Sequence, residues 1–169
     1  MAKTKQMRKA KKTAAATRSA RRSRGGTAAR GRAGAKRPAK RAPKKQTFVA
    51  SHLRPDTFEV GLRRYAQYRD LGIAAASGGL ARAHVIKMVP PCDPAEVSKR
   101  HYHDVEFQMV YVLKGWIKGE YEGAGVVTMR EGSCWLQPPK IEHTVLDYSD
   151  DCELLEIILP ADFDTVELG

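Results

Sequence analysis

The first 46 residues contain no Leu, Ile, Val, Phe, Tyr or Trp, and no Asp or Glu. A segment without large apolar side chains has almost nothing to bury against the entropy of ordering its chain. Residues 1–46 are therefore expected to form a disordered basic tail ahead of a folded domain over 47–169. The missing aromatics also exclude base stacking as a way for that tail to hold single-stranded nucleic acid. No run approaches the roughly 18 apolar residues of a membrane-spanning helix. The basic start lacks the apolar stretch of a secretory signal, so export is not expected. Cysteine is scarce: Cys92, Cys134 and Cys152 are odd in number and show no CxxC spacing. They fit reduced, separately buried thiols in a cytoplasmic protein rather than a disulfide framework.

Acidic and basic residues are unevenly shared, so the formal charge of +11 averages two unlike segments. Residues 1–45 hold 18 of the 30 Lys and Arg and none of the 19 Asp and Glu, leaving 12 basic against 19 acidic residues in the rest. Attraction to nucleic acid thus belongs to the tail alone, as a weak, non-specific and salt-sensitive contact through residues 1–45.

Beyond residue 47 the pattern is that of an all-β domain. Strands are expected over 82–88, 106–113, 116–121, 126–129, 134–137, 143–147 and 152–159, with turns at Lys114-Gly115, Glu122-Gly123-Ala124-Gly125 and Glu131-Gly132. Residues 57–71 read as a strand followed by a short helix. Pro90, Pro91 and Pro94 impose an extended loop ahead of the histidines. Short strands separated by Gly, Pro and Asp turns imply a sandwich or small barrel.

Three of the five histidines fall close to two of these strands. Side chains at i and i+2 of a strand share a face, so His101 and His103 can point together, and barrel closure can bring His143 to them. Zinc, iron, manganese, nickel and copper all accept neutral imidazole. His84 reads as a satisfied core or rim histidine and His52 as a surface residue.

Residues 101–147 resemble the two motifs of the cupin superfamily. The first family motif is H-x-H, three or four residues, Glu, six residues, Gly; here it reads His101-x-His103, four residues, Gln108, six residues, Gly115. The second is Gly, five residues, Pro-x-Gly, two residues, His, three residues, Asn; here it reads Gly132, five residues, Pro138-x-Lys140, two residues, His143, three residues, Asp147. Three positions depart: Gln108 stands for the family glutamate, Lys140 for glycine and Asp147 for asparagine.

The resemblance covers roughly residues 80–160 and is nearest to small, single-barrel bacterial cupins. It implies a double-stranded β-helix, or jelly-roll barrel, that pairs as a homodimer through its sheets. It also implies a divalent transition metal (Fe, Mn, Zn or Ni, with iron or manganese preferred) held by His101, His103 and His143, with Gln108 as the fourth donor through its carbonyl oxygen. Glu106 is the alternative ligand, since alternation from Gln108 puts the two on one face. A neutral glutamine leaves the metal about one charge more positive than a glutamate would, weakening affinity while strengthening Lewis acidity.

Candidates to line the barrel mouth are Tyr111, Trp135, Gln137 and Glu156, of which Glu156 and Tyr111 are the catalytic candidates. Glu156 interrupts the apolar run Leu154-Leu155-Ile157-Ile158. Facing inward it can act as general acid or base; facing outward it is solvated edge chemistry. Arg63, Arg64 and Arg69 are candidate clamps for a substrate carboxylate or, equally, a solvated face. The function expected is that of a metal-dependent small-molecule enzyme, a dioxygenase acting on a small hydroxy- or keto-acid. Two other classes stay open: a non-catalytic small-molecule-binding cupin, and a protein associating with nucleic acid through its tail.

Overall fold

The computed structural model describes residues 45–54, 56–61 and 63–169, so residues 1–44 of the expected tail lie outside it. The described residues form eleven strands and two one-turn helices: β1 (Glu59–Val60), β2 (Ala66–Asp70), α1 (Ile73–Ala76), β3 (Arg82–Met88), α2 (Pro94–Val97), β4 (His101–Asp104), β5 (Phe107–Lys114), β6 (Trp116–Tyr121), β7 (Gly125–Arg130), β8 (Cys134–Leu136), β9 (His143–Tyr148), β10 (Glu153–Leu159) and β11 (Asp164–Glu167). Two antiparallel sheets result. One runs β1-β2-β3-β10-β5-β8, the other β11-β4-β9-β6-β7. This is the expected jelly-roll, with consecutive strands often placed in opposite sheets.

Alternation decides which side chains fill the space between the sheets. Along β5, Gln108, Val110 and Val112 are buried, whereas Phe107, Tyr111 and Leu113 are exposed. Ile117 and Tyr121 do the same on β6, and Leu154 and Ile158 on β10. Val110, Val112, Ile117, Tyr121 and Leu154, with Met88, Met129 and Tyr148, form the core that joins the two sheets. Of the buried polar residues, His101, Gln108, Gln137 and His143 line one cavity, and that cavity is the site.

Turn chemistry fixes the register. Gly115 adopts φ +69 between β5 and β6, and a Cβ there would collide with the Ser149 hydroxyl and press on the Cys152 backbone at 3.2 Å. Ser149 Oγ is close because it accepts the Trp116 N–H at 2.9 Å. The glycine ending the first motif is thus a backbone requirement. Lys140 also has positive φ, 62°. It stands where the family has glycine, and its ammonium is 3.1 Å from Asp104 across the loop.

Several expectations need correction. Among the described residues of 57–71 there is no helix: that stretch holds β1 and β2, and α1 follows only after Gly72, whose N–H is taken by Asp70 Oδ1 at 2.8 Å. The proline-rich loop is not wholly extended, because Asp93 caps α2 by accepting the Ala95 N–H at 2.9 Å and Pro94 opens the helix. Of the cysteines, Cys152 is buried, Cys92 half-buried and Cys134 exposed. Cys134 leaves the interior because Trp135, its neighbour on β8, faces the cavity. Among the described residues no helix is long and apolar enough to cross a membrane.

Candidate metal centre

Strand pairing brings the three histidines together. His101 on β4 lies directly opposite His143 on β9, and His103 follows His101 on the same face of β4. Their rings are 4.3 Å apart for His101 and His143, 5.1 Å for His101 and His103, and 5.2 Å for His103 and His143. One ring nitrogen from each lies within 4.8 Å of the other two. The Tyr121 ring lies parallel to His143 at 5.9 Å, closing the floor.

The outer nitrogens set the tautomers. His101 Nδ1–H donates to the Lys99 carbonyl at 2.8 Å, and His143 Nδ1–H donates to the Ile141 carbonyl at 3.0 Å. His103 Nδ1 meets the Thr165 hydroxyl at 2.9 Å. A carbonyl can only accept, so in the neutral rings Nε2 of His101 and of His143 carries the lone pair, that of His143 accepting from the Gln137 amide. Orientation of imidazole ligands through the far nitrogen is what a metal site requires. Burial pushes the His101 pKa down to about 3 and that of His103 to about 4, and His143 is lowered for the same reason. At neutral pH the site therefore presents three uncharged imidazoles, a donor set that fits iron, manganese, nickel or zinc.

A polar chain continues from the histidines into the larger sheet. Gln137 Nε2 donates to His143 Nε2 at 3.1 Å and approaches Gln108 Oε1 at 3.4 Å, while Trp135 Nε1 holds Gln137 Oε1 at 3.1 Å. Gln108 Nε2 donates to Glu156 Oε1 at 2.6 Å, and Glu156 Oε2 is 2.6 Å from His84 Nε2. A carboxylate only accepts, so Gln108 must turn its amide nitrogen to Glu156 and its oxygen toward the histidine side. Burial raises the Glu156 pKa, but hydrogen bonds from His84 and Gln108 outweigh it, and the group ends below its ordinary value. The carboxylate stays ionised.

Glu156, Trp135 and Gln137 all line a cavity of about 380 Å³ together with the three histidines and Gln108. Tyr111 does not. It lies on the outer face of β5, 37% exposed, because Gln108, Val110 and Val112 take the inner positions. Glu106 is also excluded from the cavity. It is exposed and precedes the first residue of β5, so alternation from Gln108 does not extend to it. His84, expected as a core or rim histidine, faces the cavity as the register partner of Glu156. His52 is exposed as expected.

Residues 92–158 match the family profile described as "Cupin domain". Over those residues the chain carries a cupin domain. Its barrel is similar to the polyketide cyclase RemF of Streptomyces resistomycificus, with TM-score 0.58 and 14% identity over 72% of this chain and 87% of that one. Salicylate 1,2-dioxygenase of Pseudoaminobacter salicylatoxidans, crystallised with gentisate, gives TM-score 0.52 and 9% identity over 64% of this chain and 30% of its own. Oxalate decarboxylase of Lactobacillus farciminis gives 0.50 and 13% over 64% and 32%. At these identities the likeness is one of fold. No curated protein matches the chain.

The buried neutral histidines make the metal-free cupin acid-labile. Below about pH 6.5 the unfolded chain takes up protons on His101, His103 and His143 that the folded chain refuses until their lower pKa values are reached. The unfolded state then binds more protons, so stability falls as pH falls, by up to about 1.4 kcal/mol per pH unit for each histidine. Urea midpoints of metal-free protein should decline steadily from about pH 7 to about pH 4.5. A flat profile would show that the imidazoles are not held neutral by burial.

Proposed function

We propose that this cupin is a metal-dependent small-molecule enzyme, with His101, His103 and His143 as ligands and Gln108 Oε1 as the fourth donor. The observation that carries the reading is the convergence of three imidazoles whose outer nitrogens are fixed by Lys99, Ile141 and Thr165. Iron or manganese, when bound, would supply Lewis acidity toward a chelating hydroxy- or keto-acid and a route for O₂ to react with it. The reaction class favoured is a dioxygenation, both atoms of O₂ entering the organic product.

The chain's own residues supply the rest. Glu156 and His84 form the one carboxylate–imidazole pair in the cavity and are placed to take up and return a proton of the substrate hydroxyl or enol. Ile117, Tyr121 and Trp135 wall the cavity and limit water. A rival reading, a ligand-binding cupin without catalysis, draws on the Gln137 amide, which occupies the His143 lone pair internally. Metal analysis of protein purified without added metal, followed by thermal melting with Fe(II), Mn(II), Ni(II) and Zn(II), separates the two. Stoichiometric metal, or a metal-induced rise in Tm, supports the enzyme; neither would leave only the binder.

The outer face of the larger sheet supports a homodimer. Leu155 pairs with Tyr111 and Ile157 with Met109, and Met109 pairs in turn with Leu136, so five strand positions make one continuous apolar surface with Phe107 beside them. Leu136 is 57% exposed. A second copy laid sheet to sheet would cover this face, and its exposure in a monomer is unfavourable. Light scattering should give a dimer for the wild type and a monomer for Leu136→Lys. A monomeric wild type at micromolar concentration overturns the assignment.

A further inference from the structure

Arg63 lies in the loop between β1 and β2, outside the barrel motifs, yet its side chain reaches the cavity and is only 14% exposed. Nη1 donates to the Tyr65 hydroxyl at 2.7 Å. Nη2 is buried with no hydrogen-bond partner among the described residues; the nearest carboxylate oxygen, on Glu167, is 3.7 Å away. Glu167 is on the edge strand β11 and is itself 58% exposed, so water competes for it. Arg69 also has an unpartnered buried nitrogen, but it neighbours Tyr68 on the opposite face of β2 and does not line the cavity. Arg64 is exposed. Of the three candidate clamps, the fold therefore selects one.

A buried guanidinium N–H without an acceptor is costly, and it is tolerated where a ligand supplies the acceptor. The surroundings strengthen the point. The donors to be shared by a cation are neutral: three imidazoles and a glutamine amide. Arg63 adds a positive charge that reaches all three imidazoles. Only Glu156 opposes it from within the cavity. Such a site is short of negative charge, and an anion between the histidines and Arg63 would complete it. The remaining wall, with Tyr68, Tyr121, Trp135, Phe163, Ile86 and Met88, is aromatic and apolar, and about 380 Å³ is larger than a two- or three-carbon acid needs.

We propose that Arg63 receives the carboxylate of the substrate, and that the substrate is a 2-hydroxy- or 2-oxo-acid bearing an aromatic or similarly bulky apolar group. This deepens the metal-centre reading above, but the part played by Arg63 does not depend on it. A planar fork is suited to a carboxylate, whose second oxygen and α-oxygen then face the histidines.

The test uses the full chain with and without Zn(II), which is inert to O₂, and three probes: mandelate, mandelamide and lactate. Mandelamide keeps the ring and removes the charge; lactate keeps the charge and removes the ring. Calorimetric titration at physiological salt should show mandelate binding roughly 10–100-fold tighter than mandelamide, and tighter than lactate. Arg63→Gln should collapse the acid-to-amide ratio toward one, and Arg63→Lys should restore part of it. The basic tail is identical in every variant, so the difference reports Arg63 alone. Equal binding of acid and amide by the wild type, an unchanged ratio in Arg63→Gln, lactate binding as tightly as mandelate, or no binding of any probe up to about 10 mM each overturns the proposal. Failure of the metal reading looks different: Zn(II) leaves Tm unmoved, while an Arg63-dependent acid preference persists without it.

Discussion

His143→Ala protein should retain the barrel and lose the metal. His143 is the point at which β9 meets β4, opposite His101, and its ring nitrogen completes the three-nitrogen set. Loss of an outer-sphere partner alone typically costs 10–100-fold in metal affinity, so removing a donor should cost more than about 100-fold. Activity on any hydroxy-acid substrate would fall with it. The variant also loses the stacking on Tyr121 and the bond to the Ile141 carbonyl, for which a Tm drop equivalent to about 2 kcal/mol is reasonable. That structural cost appears in metal-free protein too and can be subtracted by comparing the metal-induced Tm rise, not Tm itself. His101→Ala should match it, and His52→Ala, on an exposed residue, should behave as wild type. Wild-type metal stoichiometry in His143→Ala would remove the three-histidine centre.

The sequence made the histidines legible because period-two geometry and motif spacing act on the same residues: His101 and His103 share a face by backbone alone, and Gly115 marks a turn that no side chain can occupy. Which way other strand residues point was not legible. Alternation carries information only when one face is polar, and β5 and β10 are apolar on both. Along Leu154-Leu155-Glu156-Ile157-Ile158 nothing distinguishes inside from outside, and the same holds for Tyr111 between Val110 and Val112. Glu156 thus proved to face the cavity and Tyr111 the outer surface, for a reason that the proposed dimer would explain. His84 reads from the sequence only as a satisfied core or rim histidine, because its significance is relational: it is the register partner of Glu156, 72 residues away. The strand β11, reading Asp-Thr-Val-Glu, has no periodic signal, yet it delivers Thr165 to His103.

Glu156→Gln should weaken metal binding by roughly 10–100-fold while leaving the fold intact. The argument runs through charge placement. The position where cupins carry a glutamate is here Gln108, and the one carboxylate in the cavity stands behind it, joined to it at 2.6 Å. A negative charge there stabilises a cation at the histidines through the amide dipole of Gln108, whose nitrogen it holds. Glutamine at 156 keeps the volume and one acceptor but removes the charge. Glu156→Leu goes further and strands the Gln108 N–H and His84, at about 1–3 kcal/mol for each unpaired group, so it should lower Tm even without metal. Gln108→Glu alone would set two carboxylates side by side in a buried site, forcing one to stay protonated. The double exchange Gln108→Glu with Glu156→Gln returns the charge to the family's usual position. Metal affinity should then recover to at least the wild-type value, a coupling that two independent structural lesions could not produce. If Glu156→Gln binds metal as tightly as wild type, the buried carboxylate is no part of the electrostatics of the centre.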